Sequence, residues 1–213
     1  MSCTKYFGNG SEPMGLKVWF AHLKSMKREI IVAFIIFAIG IYLGYSKQFP
    51  SIIEGQMGTM KKIAETINNM EYSQLWFFLF IFVNNLVISL MVMYLGSFFA
   101  LAPIYSLIMN GMVLGYLAST EVNADNWFVF VKGIVPHGII EIPAVIIACA
   151  YGIRFGTIAA ESVISFPFAK RRARVAAKLI GFMKVTIPFM LVLASTLLLA
   201  AIIESTISYW LIH

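Results

Sequence analysis

Six polar residues sit inside otherwise apolar stretches: Asn84, Asn85, Asn110, Lys132, His137 and Glu141. Whatever chemistry the sequence supports must start from them, because amides and ionisable groups in lipid are costly. His137 and Glu141 are four residues apart and so share a helix face. An imidazole and a carboxyl in that arrangement can relay a proton, line an ion path, or clasp neighbouring amides. Pro136 frees the carbonyl of Lys132 and Gly138 loosens the same turn, giving a helix break. An amide from Asn84, Asn85 or Asn110 can satisfy the freed carbonyl, as membrane helices require. A hydrolytic zinc site needs three protein ligands, whereas His22 precedes the first apolar run and His213 is the last residue. HExxH and GxSxG are absent. The expectation is therefore no catalytic residue, no metal, no cofactor and no enzyme.

The elements that position these groups follow from composition. Of 213 residues, 60% are hydrophobic and only 12% are charged, and the mean hydropathy is +0.85. That excludes a soluble enzyme, a disordered chain and a disulfide scaffold. Cys3 and Cys149 form no metal motif and are not expected to pair. The net charge of +6 fits membrane topology better than nucleic-acid binding. The fold expected is all-α, a polytopic helical bundle of five membrane spans, roughly 30–46, 75–95, 99–119, 127–155 and 181–203. Residues 1–29 form a segment with an amphipathic helix, and 30–213 form the transmembrane domain. The stretch 47–73 reads as an extramembrane loop with a short amphipathic helix of its own. Gly96, Ser97 and Pro103 supply turn material between the second and third spans.

Lys and Arg place the N-terminus in the cytoplasm, since the block Lys170, Arg171, Arg172, Arg174 and Lys178 joins Lys24, Lys27, Arg28 and Arg154 on one side. Tyr45, Trp76, Tyr116, Trp127 and Trp210 fall at the opposite rim. The basic block and the face Leu16, Trp19, Phe20, Leu23 and Met26 are expected to lie on the membrane surface. At 1.5 Å per residue, Asn84, Asn110, His137 and Glu141 come out about 14, 12, 15 and 21 Å below the outer rim, so one mid-bilayer layer is expected. Gly40–Gly44, Gly111–Gly115 and Gly152–Gly156 permit close helix approach, within the chain or at a homo-oligomer seam.

The runs FIFVNNLVISL, IMNGMVLGYLA and VPHGIIEIPAVIIACAYGIRFG resemble, in that order, the stage II sporulation protein M (SpoIIM) family of multi-pass membrane proteins. The matching positions are Asn84 and Asn85, Asn110 with Gly111 and Gly115, and Pro136, His137 and Gly138 with Glu141 and Gly152. The resemblance covers about the central half of the chain. It implies a non-enzymatic integral protein of a prokaryotic cytoplasmic membrane. The family's namesake works with a peptidoglycan-hydrolysing complex during engulfment, and the family also occurs in organisms that form no spores. The leading expectation is a scaffold or assembly factor for membrane or envelope partners, without nucleic acid. The alternative is a small channel or transporter with a path through His137 and Glu141.

Overall fold

Lipid offers a backbone no hydrogen-bond partners, so an apolar run that crosses it must satisfy its own N–H and C=O groups as a helix. The computed structural model describes residues 16–123, 138 and 140–212, and among them every element is helical. The helices are α1 (Leu16–Ser25), α2 (Lys27–Tyr45), α3 (Pro50–Asn68), α4 (Ser73–Leu95), α5 (Leu101–Asn123), α6 (Glu141–Ser165) and α7 (Ala169–Ile212). Five of them, α2 and α4 to α7, are long and apolar enough to cross a membrane. Trp127, Lys132, Pro136 and His137 lie outside the described residues, as does the chain before Leu16.

Glycine sets how these rods meet. Gly40 and Gly44 of α2 lie against the backbone of Ile108, Gly111 and Met112, and Gly111 and Gly115 of α5 lie against Phe37, Gly40 and Ile41. Two Gly-xxx-Gly faces thus press together, and rising numbers meet rising numbers, so α2 and α5 run parallel. A methyl group at Gly40 would stand 2.6 Å from the Ile108 carbonyl oxygen, a separation real side chains do not adopt. Gly152 of α6 meets Val92 of α4, and Gly156 meets Gly96 and Ala100, so α4 and α6 form a second parallel pair. All three glycine pairs are therefore used inside the chain.

Gly96 and Ser97 open the turn into α5, as expected, and Phe99 and Ala100 close it with positive φ. Gly96 also packs on Gly152, whereas Pro103 is not turn material but sits in the first turn of α5. The extramembrane loop does hold an amphipathic helix, α3, which begins at Pro50. Its buried Ile53 packs with Met109 and Met112 of α5. Glu54 accepts a hydrogen bond from the Tyr116 hydroxyl at 3.4 Å.

The last two spans depart most from the sequence boundaries. Instead of 127–155, the described part of the fourth helix is Glu141–Ser165. Pro143 falls in its first turn, where a missing N–H costs nothing, and Pro167 follows its end, where it blocks extension. The last helix is not 181–203 but 44 residues, continuous through Pro188. At 1.5 Å per residue it is about 66 Å long, twice the bilayer core. Its first turns contain the basic block. Tyr151 is hydrogen-bonded to Thr186, Phe155 stacks near Phe182 at 5.6 Å, and Glu161 accepts from Lys178 at 2.7 Å. The α6 and α7 helices are therefore antiparallel arms of one hairpin that turns at Phe166–Phe168.

Candidate functional site

The glycine contacts fix heights as well as partners. Carried up the α4–α6 pair, the register Val92–Gly152 and Gly96–Gly156 sets Asn84 and Asn85 beside the first residues of α6, where Glu141 stands. Pro103 against Gly152 and Ala100 against Gly156 make α5 antiparallel to α6, which brings Asn110 level with Val145. These four polar residues span about 6 Å of height, one helical turn. The amide hydrogen bonds nevertheless stay local. Asn84 donates to the Asn85 side-chain oxygen at 3.4 Å. Asn110, an exposed residue, donates to the Ser106 carbonyl at 2.8 Å and to its hydroxyl at 3.3 Å. Glu141 is half-buried in the first turn of α6, where the helix dipole favours a carboxylate. Gly138 is half-buried just before it. His137, the fifth member of the expected cluster, lies outside the described residues.

A second polar constellation, which periodicity alone did not reveal, lies at the other end of the α6–α7 pair. Arg154 of α6 donates to the Ser25 carbonyl at the end of α1, 2.6 Å away. The same guanidinium nitrogen stands 3.7 Å from Glu29 in the first turn of α2, and both side chains are largely shielded. His22 of α1 turns inward against Tyr151, Phe182 and Phe189, with ring centroids 6.1, 6.2 and 6.0 Å away. Tyr151 itself stacks on Phe182 and Phe189 at 4.3 and 4.7 Å. Met26, between α1 and α2, is fully buried. So α1 is latched onto the bundle through His22, Leu23 and Met26, while Phe20 is 61% exposed. The one signal in the sequence was Glu29 beside an arginine embedded in an apolar run.

Burial, and then the positive charge of Arg154, lower the His22 imidazole from its usual 6.5 to about 4. The unfolded chain takes up a proton near 6.5, whereas the docked histidine does not until about 4. The latch therefore holds its full strength above pH 6.5 and weakens progressively as pH falls from 6.5 to 4. The thermal unfolding midpoint should fall across that window. In His22→Phe, which fits the aromatic site and carries no titrating group, the fall should be smaller. An unchanged pH profile in that variant would remove His22 as its cause.

Among the described residues no group of three His, Cys, Asp or Glu side chains could hold a metal. Comparison with known proteins then places this architecture. The profile of SpoIIM, stage II sporulation protein M, matches residues 30–209. The chain belongs to the SpoIIM family. One similar chain is “Uncharacterized protein MJ0706” of Methanocaldococcus jannaschii, 23% identical over 189 residues, which are 86% of this chain and 82% of that one. No solved structure matches. The SpoIIM match takes in all five spans and Arg154, and begins just after Glu29. Ser25 and His22 thus belong to an arm that precedes the matched region and is fastened to it.

Proposed function

We propose that this SpoIIM-family protein is a non-enzymatic scaffold of the prokaryotic cytoplasmic membrane that assembles membrane or envelope partners, with its N-terminus in the cytoplasm. The observation that supports this reading is where the chain spends its length. Glycine faces lock α2 to α5 and α4 to α6, and the long α7 then continues with α6 beyond the charged level of Glu29 and Arg154. Helix that leaves the bilayer and does not pack on the rest of the bundle presents surface to something else. Crosslinking in native membranes followed by mass spectrometry should recover a small, reproducible set of membrane or envelope proteins. Recovery of lipid alone, with robust ion flux in proteoliposomes, would overturn the scaffold.

The shared height of Asn84, Asn85, Asn110 and Glu141, at the start of a helix inside the bilayer, favours a second reading. Half-helix ends at mid-membrane are used by transporters to hold ions. A conducting path would give pH-dependent flux that disappears in Glu141→Gln. Silent liposomes across protons, common ions and small solutes would remove it.

A further inference from the structure

We infer that the end of the α6–α7 hairpin is a docking surface for an acidic protein segment with apolar residues at its centre; this rests on the scaffold reading. The bundle turns back at one level on this side. There the Gly96–Ala100 turn packs on Gly152 and Gly156, and Arg154 holds Ser25 and Glu29. From Arg154 to Phe166 the helix adds about 18 Å, and a tilt of about 40° still leaves roughly 14 Å. The headgroup layer is only about 5–7 Å deep on each side. With the bilayer edge set at the level of Arg154, where the rest of the bundle turns back, the tip stands clear of lipid, although Lys178, nearer the bilayer, is within reach of headgroups.

The tip nevertheless displays apolar side chains: Val163, Ile164, Phe166 and Phe168 are 64%, 68%, 71% and 56% exposed. Four exposed large hydrophobics within six residues of a tip held in water mark an interaction site. Their surround is cationic. Lys170, Arg171, Arg172 and Arg174 are all exposed, and Arg171 stands over the Phe168 ring at 5.5 Å. The carboxylate on the arms, Glu161, is already paired with Lys178. At 100° per residue, Lys170, Arg171, Arg174 and Lys178 form one stripe of α7, while Ala173, Ala176 and Ile180 form an exposed apolar strip beside it. A second copy of the chain is a poor match, since the described carboxylates on this side, Glu29 and Glu161, are both engaged. Charge complementarity calls for carboxylates around an apolar patch on a different protein.

The test uses the full chain in native membranes with a photocrosslinking amino acid at Ile164 or Phe166, both exposed enough to spare folding. The expected adduct is a protein peptide in which Asp or Glu flank apolar residues. Its yield should fall about fivefold or more at roughly 0.5 M salt, where screening shortens to a few ångströms. It should fall similarly in Arg171→Glu/Arg174→Glu, and recover when the partner's acids are changed to lysine. Adducts to lipid, to a second copy or to residues 1–15 of the chain, or no adduct at all, overturn the inference. The same probe at Met60 on α3 separates the two failures. Partner proteins captured there alone leave the scaffold standing without this surface, and none at either position removes both.

Discussion

Gly44→Leu is expected to leave almost no folded protein. The added side chain would run into the Met112 backbone, which is fixed in a helix and has no rotamer by which to yield. Overpacking of ordinary cores costs about 1–3 kcal/mol, and a clash with backbone in a glycine-to-glycine contact belongs above that range. Even Gly44→Ala should lower the unfolding midpoint in detergent sharply, because its Cβ meets the same atoms. Gly115→Ala, which faces Ile41 and Tyr45 from the other side, should match it. Gly55 and Gly58 of α3 provide the control, since a methyl there meets nothing within 4 Å. Alanine at those positions should gain about 0.5–1 kcal/mol from reduced chain entropy. Equal losses at Gly44 and Gly55 would mean that the parallel pairing is wrong.

Arg154→Gln should release α1 while leaving the spans intact. It removes a charge-assisted bond to the Ser25 carbonyl and strands the shielded carboxylate of Glu29, whose Oε2 already lacks a hydrogen-bond partner. Breaking a fully buried pair costs about 3–5 kcal/mol; because both side chains here keep some solvent contact, about 2 kcal/mol is expected. Hydrogen exchange should rise across residues 16–25 and stay unchanged in α4 and α5. Glu29→Gln in the same chain should recover much of the loss by removing the unpaired charge. If α1 stays protected in Arg154→Gln, the latch rests on His22 and Met26 rather than on the ion pair.

The outline of the molecule was readable from hydropathy: the number of spans, the bounds of the first three, an amphipathic α3 and the glycine pairs stand where apolar runs and spacing put them. Side-chain azimuth was not. Nothing in the sequence says that Asn110 bonds back to Ser106 instead of across to Asn84, because a helix carries a side chain through all directions within one turn. The same ambiguity hid His22 as an inward-facing residue of α1. The hairpin arms escaped for a different reason. A hydropathy reading stops a span at the first dense charges, but backbone hydrogen bonding does not, and Ala, Lys and Arg are strong helix formers. Residues 169–180 therefore continue the helix through the basic block, ahead of the start at 181 that hydropathy sets. Gly96 carries a second role that spacing hid: besides opening the turn it serves a neighbour's backbone, and it leaves the left-handed positions to Phe99 and Ala100.

The pairing of α2 with α5 also has a bearing on biogenesis. Gly40 emerges from the ribosome about 70 residues before Gly111, which at 5–20 residues per second is a wait on the order of 4–14 s. During that interval α2 must remain in the bilayer with its glycine face bare, and α4 must be inserted without displacing it. Any unrelated helix with a small-residue face that arrives first can occupy the vacancy. Insertion order, as much as final energy, thus guards the native topology, and slowing translation between α2 and α5 is the step at which misassembly would begin.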